Sequence, residues 1–254
     1  MKHFENVLDM PARKYKHVFF DMDNTVTPSR SAVEDDMREI LVKLGEQADV
    51  AIVSGGSEAQ IWRQMTDYFK DKISFMAQNG NNAFSHEVGK YLWKRTLSSE
   101  EKKEILDHIG KIKSRYGGLI ASFQKETDEK LIEDRGCQIS FSFVGHNAPL
   151  ADKVKFDPKG ETRLNILKEI PLVSETVQVK LGGTTCFDYN QFGKNKGYNI
   201  VEWLKYFGWK PEDVLYVGDA LFPGGNDDTV LGVCDTLQVS GPAETFTAIE
   251  KIIR

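Results

Sequence analysis

Two carboxylates separated by one residue, Asp21 and Asp23, follow directly on the apolar run Val18-Phe19-Phe20 and precede Asn24-Thr25. So close a pair repel each other unless a cation or a shared proton compensates, and a hard divalent ion such as Mg²⁺, bound through oxygen, is the natural solution. Beside a phosphoryl group, one of them can attack phosphorus while the other donates and accepts protons. A D-x-D is common on solvated loops, so its weight comes from what accompanies it. Val53-Ser54-Gly55-Gly56-Ser57 offers the Ser54 hydroxyl and loop amides, Gly55 among them, at a helix start, which makes a phosphate seat. Gly218-Asp219 and the following Pro223-Gly224-Gly225-Asn226-Asp227-Asp228 have the look of a metal loop. There, acidic groups follow a buried strand and glycines allow close backbone approach. Lys196, in Gly193-Lys194-Asn195-Lys196-Gly197, begins a helix and can neutralise both a phosphoryl group and the attacking carboxylate. His86, His108 and His146 lack metal-ligand spacing and are read as non-ligands.

The first three features sit at the carboxyl ends of predicted strands, where open α/β sheets place their ligands. Lys16 to Phe20 reads as a buried strand. Ser31-x-x-Glu34 reads as a capping box before a helix carrying Val33, Met37, Ile40, Leu41 and Leu44, closed by Gly45 in the left-handed position. Asp49 to Val53 is a second strand, Ser57-x-x-Gln60 opens a helix with Ile61, Met65 and Phe69, and Ile73 to Ala77 is a third strand. This alternation predicts a parallel sheet with crossovers. After Asn79-Gly80 the pattern changes. A hairpin over 82–95 is followed by a helix opened by Ser98-x-x-Glu101, strands around Arg135-Gly136, a helix over about 160–170 and a hairpin at Gly182-Gly183. From Lys196 the α/β rhythm resumes, with a helix ending at Gly208, strands over 214–217 and 234–239, and a last helix opened by Gly241-Pro242. The predicted fold is α/β, a doubly wound parallel-sheet core (1–82 and 190–254) interrupted by an inserted α+β cap (83–189).

Across 254 residues, 40% hydrophobic and 28% charged is ordinary for a globular protein. A net charge of -5 gives no reason to expect nucleic acid or an anionic membrane as partner. No apolar run approaches the ~18 residues of a membrane span, and the first residues show no signal-like apolar block. Cys137, Cys186 and Cys234 are few and widely spaced, which suggests reduced thiols and a cytoplasmic protein.

The ordered set D-x-D-x-T, S-G-G, Lys and G-D-x-x-x-P-G-G-N-D resembles the haloacid dehalogenase-like phosphotransferases over the whole chain. The insertion after the third core strand resembles their C2-type cap. More narrowly, FFDMDNTVTPSR, IEDRGCQISFSFVG, GGTTCFDYNQFGKNKGYNI and GDALFPGGND are similar to segments of the eukaryotic-type phosphomannomutases. The resemblance implies that Asp21 is the nucleophile that becomes an aspartyl-phosphate and that Asp23 is the general acid/base. It further implies Mg²⁺ held by the Asp21 side chain, the Asp23 carbonyl and Asp219, with Asn226 and Asp227 in support. Ser54 and Lys196 would hold the transferring phosphoryl group. Arg30, Arg135 and Asp188 match substrate-contacting positions, and a homodimer through the cap is the family-based expectation.

The chain also departs from that family. His146 and Lys153 stand where the mutases carry arginines, and Cys186 replaces a substrate-contacting serine. A mutase must grip a second, non-reacting phosphate, and guanidinium forks do so bidentately where Lys or His cannot. The expected function is therefore a Mg²⁺-dependent phosphatase acting on a small phosphorylated metabolite, most simply a sugar phosphate. A hexose phosphomutase, sharing every core residue, is the alternative. A non-catalytic sugar-phosphate-binding protein is disfavoured because Asp21 and Asp23 are both present.

Overall fold

The computed structural model describes residues 1–123 and 131–254. The chain divides into two compact units, residues 1–94 with 194–254, and residues 95–193. Along the chain the first unit contributes β1 (His3–Phe4), β2 (His17–Asp21), α1 (Asp35–Gly45), β3 (Asp49–Val53), α2 (Glu58–Met65), β4 (Ser74–Ala77), β5 (Asn82–Ser85) and β6 (Lys90–Lys94). The second unit follows with α3 (Ser99–Phe123), β7 (Ile132–Asp134), β8 (Gln138–Ser142), α4 (Leu150–Phe156), α5 (Glu161–Glu169), β9 (Val177–Gly182) and β10 (Cys186–Gln191). The chain then returns to the first unit with α6 (Lys196–Phe207), β11 (Val214–Gly218), β12 (Asp235–Gln238) and α7 (Pro242–Ile253).

The first unit's sheet runs β1-β12-β11-β2-β3-β4-β5-β6. It is parallel from β1 to β4 and antiparallel across β5 and β6. Strand alternation sends Val18, Phe20, Val50 and Ile52 into one core with Met37, Ile40 and Leu41 of α1, Ile61 of α2 and Ile249 of α7. Phe19, Ala51 and Val53 enter a second core with Ile200, Trp203 and Leu204 of α6. Burial on both faces is why these strands read as continuous apolar runs. Each large side chain so buried contributes about 1.5–3 kcal/mol. The consequence for function is that every parallel strand points its C-terminal residue to one edge: Asp21, Val53 and Gly218 end β2, β3 and β11.

Three local expectations fail for identifiable reasons. The hairpin over 82–95 belongs to the core sheet, with Phe84 opposite Phe75 of β4. The units therefore divide at 94/95 and 193/194, where the sequence reading places 82/83 and 189/190. Ser31 and Glu34 form no capping box, because Ser31 N–H bonds to the Pro28 carbonyl and Glu34 is itself the N-cap, without a side-chain bond. Gly45 lies inside α1, which ends on Glu46 in the right-handed region.

The second unit has a four-stranded antiparallel sheet, β7-β8-β10-β9. Ile139, Phe141, Phe187 and Tyr189 pack on Ile105, Ile109 and Ile112 of α3 and Ile166 of α5. The alternate residues Gln138, Ser140, Ser142, Asp188 and Asn190 are polar and share the opposite face. Here a predicted capping box does form: Ser98 N–H donates to Glu101 Oε2 at 2.7 Å and Glu101 N–H to Ser98 Oγ at 3.1 Å. Among the described residues no helix is long and apolar enough to cross a membrane.

Candidate active site

Asp21 ends β2 with only 3% of its surface exposed. Lys196, the first residue of α6, is fully buried and donates through Nζ to Asp21 Oδ1 at 2.5 Å and to Asp227 Oδ1 at 2.6 Å. Tyr216, on β11, donates its hydroxyl to the same Asp227 oxygen at 2.7 Å and accepts from Lys196 at 3.3 Å. Two glycines make this convergence sterically feasible. A Cβ on Gly197 would run into the Thr229 carbonyl, so only glycine lets α6 start against the 228–230 turn. A Cβ on Gly218 would run into the Asp227 carboxylate. Asn195 caps α6 by accepting from Tyr198 N–H at 2.9 Å, which fixes the helix start and with it the Lys196 backbone.

Asp21, Asp219 and Asp227 can each bring a carboxylate oxygen within 4.8 Å of the others. One ammonium against three carboxylates leaves two negative charges uncompensated. Burial pushes Asp21 up to about 7, with Lys196 opposing and Asp227 adding to the rise. Burial and Asp227 likewise raise Asp219, against which the Asn24 amide acts by hydrogen bonding. Burial alone would lower the Lys196 ammonium's affinity for its proton, but Asp21 and Asp227 outweigh it and hold the group charged. An all-oxygen, net-negative donor set of this kind fits a hard divalent cation.

Asp23 is half-buried two residues past Asp21, in the tight turn that follows β2. Asn24 N–H bonds to the Thr27 carbonyl at 2.7 Å, with Asn24 itself at φ 59°. Asp23 Oδ1 accepts from Arg30 N–H at 2.7 Å and from Gln64 Nε2 at 3.1 Å. Arg30 therefore meets Asp23 through its backbone, while the residue as a whole is exposed. Ser54 is buried at the end of β3, and its Oγ accepts from Gly56 N–H at 3.0 Å, leaving the hydroxyl proton to donate elsewhere. Gly55 lies between them, half-buried next to the Asn79 side chain. Asn226 is exposed in the loop between Asp219 and Asp227.

The remaining candidates lie in the second unit. Arg135 donates to Glu133 Oε2 at 2.5 Å through Nη2, and the same oxygen is 3.7 Å from His146 Nδ1. Lys153 Nζ donates to the His146 carbonyl at 2.6 Å. Asp188 accepts from Ser140 Oγ at 2.6 Å, directly across the strands. Cys186 sits two positions along the same strand, beside Ser142 and Gly182.

Sequence reasoning missed Gln64, Tyr216, Asn24, Glu133 and Ser140. For Gln64 a signal existed: it falls between Ile61 and Met65 on the inward face of α2, where an amide is out of place. Tyr216 carried a weaker one, as the single polar-tipped residue in Val-Leu-Tyr-Val-Gly.

Residues 18–231 match the haloacid dehalogenase-like hydrolase family. The chain is 25% identical to human phosphomannomutase 1 over 95% of its own length and 94% of that protein's. It is 24% identical to phosphomannomutase 2 of Dictyostelium discoideum, over 94% and 97%. Among solved structures, SMU.1108c from Streptococcus mutans superposes with a TM-score of 0.66 at 19% identity, over 92% of this chain and 91% of that one. The IMP-bound IMP-nucleotidase of Plasmodium falciparum does so with 0.67 at 16% identity, over 97% and 70%. These structures share the fold. The chain belongs to the haloacid dehalogenase-like hydrolase family and is an enzyme of that superfamily.

Proposed function

We propose that the protein is a Mg²⁺-dependent phosphatase for a small phosphorylated metabolite, a sugar phosphate, acting through a covalent phosphoryl group on Asp21. The observation that carries the reading is the buried Asp21–Lys196–Asp227 arrangement beside Asp219, a nucleophile and an ammonium 2.5 Å apart in a site short of positive charge. Asp21, the Asp23 carbonyl and Asp219 would hold the metal, with Asn226 and Asp227 supporting. Bound there, Mg²⁺ supplies Lewis-acid stabilisation of charge on the phosphoryl oxygens.

The chain's own groups carry the remaining steps. An Asp21 carboxylate oxygen attacks phosphorus, and the bond from phosphorus to the leaving oxygen breaks as Asp23 gives that oxygen a proton. Asp23, now a carboxylate, takes a proton from water, whose oxygen attacks the phosphoryl group and releases Asp21. Lys196 and the Ser54 hydroxyl stabilise charge on the transferring group, where most of the catalysis of phosphoryl transfer resides. Arg135, His146, Lys153, Cys186 and Asp188, together with Arg30 and Gly55, are the proposed substrate contacts.

The full-length relatives named phosphomannomutase keep a second reading in play, that of a hexose phosphomutase. Two features favour hydrolysis. Arg135 is engaged by Glu133, and Lys153 by a backbone carbonyl. A second phosphate would have to compete with both. The deciding experiment follows phosphate release and 1-to-6 isomerisation together on mannose 1-phosphate and related hexose phosphates, with and without a hexose 1,6-bisphosphate. Phosphate release without isomerisation supports the phosphatase; bisphosphate-dependent isomerisation with little free phosphate overturns it in favour of the mutase.

A further inference from the structure

Asp23 is held by a side chain from a different element. Gln64 is 2% exposed on α2, and its Nε2 donates to Asp23 Oδ1 at 3.1 Å and to Thr27 Oγ1 at 3.0 Å. Its Oε1 accepts from Gln60 Nε2 at 3.2 Å, one helical turn earlier. The amide is thereby oriented: exchanging its two ends would set a carbonyl oxygen against a carboxylate oxygen and the Gln64 NH₂ against the Gln60 NH₂. Burying an amide on the Ile61–Met65 face costs free energy unless it is so bonded, and helix packing alone has no use for it. The same Asp23 Oδ1 takes the Arg30 N–H at 2.7 Å. Two N–H donors occupy Oδ1, so Oδ2 is the oxygen left open to carry and exchange a proton.

We infer that Gln64 is a positioning residue for proton transfer, fixing the Asp23 rotamer so that Oδ2 is the oxygen that exchanges its proton with the leaving group and with water. This rests on the reading of Asp23 as general acid/base. In the first step the electron pair of the breaking phosphorus–oxygen bond passes to the leaving oxygen, which takes the Oδ2 proton. An alkoxide leaving group needs that proton; a nitrophenolate does not. Gln64 touches neither reacting atom, so its effect must depend on the leaving group.

The test compares kcat/KM, which reports the first step, on the hexose phosphate turned over fastest and on p-nitrophenyl phosphate. The proteins are the wild type, Gln64→Met, Gln64→Glu and Asp23→Asn, each checked for an unchanged unfolding midpoint. Gln64→Met is expected to lose about tenfold or more on the hexose phosphate and roughly threefold or less on the aryl substrate. Gln64→Glu keeps the shape without the donor and is expected to show the same selectivity, so it carries the test if the Met variant does not fold. Asp23→Asn should show the pattern more strongly. Equal losses on both substrates for the Gln64 variants, with Asp23→Asn still selective, would reduce Gln64 to a packing role. A non-selective Asp23→Asn would instead remove the acid/base reading itself, and the inference with it.

Discussion

Replacing Lys196 by Met removes the ammonium that faces two buried carboxylates, at 2.5 Å and 2.6 Å. Met matches the stem in length and apolar character, so the change isolates the charge and its hydrogen bonds. Breaking a buried pair in this way leaves uncompensated charge and costs about 3–5 kcal/mol. At about 2–4 °C per kcal/mol for a chain of this size, the unfolding midpoint of the metal-free protein should fall by roughly 6–20 °C. Activity should fall further than stability explains. Loss of one preorganised charge donor to the transition state costs about 10²–10³-fold in kcat, and Asp21, already raised to about 7 with Lys196 opposing the rise, becomes harder still to ionise. Scanning calorimetry and steady-state phosphate release, at saturating Mg²⁺ and without it, measure both quantities. The double variant Lys196→Met/Asp227→Asn removes one unpaired carboxylate and should regain part of the lost stability with none of the activity. A single variant as stable and as active as the wild type would refute the reasoning. So would a double variant that regains turnover.

Two further outcomes follow from burial and charge. In the metal-free protein, Asp21 binds its proton more tightly folded, at about 7, than unfolded, at 3.8. Its contribution to stability is therefore complete below pH 3.8 and is lost as pH rises through 7. Mg²⁺ should accordingly raise the unfolding midpoint more at pH 8 than at pH 5, and an equal rise at both would contradict the charge-deficit account. His108 behaves oppositely: burial depresses it below its usual 6.5, and its ring bonds to the Tyr189 hydroxyl and the Ile170 carbonyl, each at 2.9 Å. Stability owed to neutral His108 is present above pH 6.5 and falls away as pH drops below it, so His108→Gln should flatten the acid side of the stability profile of residues 95–193, read by hydrogen exchange.

The site's carboxylates and Lys196 were legible in the sequence because chemistry at a strand end constrains residue type and spacing together. Asp21 and Asp219 stand where buried runs stop, Asp227 lies in the Gly-rich acidic loop that follows, and the structure brings all three together. What could not be read was which pairs meet across long separations. Tyr216 and Gln64 sit inside otherwise apolar patterns, and only their distant partners, Asp227 and Asp23, explain the polar atom. The hairpin Asn82–Lys94 was legible as a hairpin, but alternation does not say which sheet a hairpin joins; the Phe75–Phe84 stack does. The Ser31-x-x-Glu34 pattern misled because the Ser31 N–H is committed to the Pro28 carbonyl and the helix starts only at Asp35, with Glu34 itself as its N-cap. Helix α4, Leu150–Phe156, escaped notice because seven residues with two lysines and an aspartate have no clear apolar face.

The proposed reaction passes through a covalent phosphoryl group on Asp21, and trapping that group tests it head-on. The protein is mixed with its substrate and Mg²⁺, quenched in acid within a single turnover, digested and mapped by mass spectrometry. One added phosphoryl group is expected on the peptide containing Asp21, with neither label nor turnover in Asp21→Asn. Substrate turnover with no labelled peptide at any quench time, or an Asp21→Asn variant that retains wild-type activity, would contradict it.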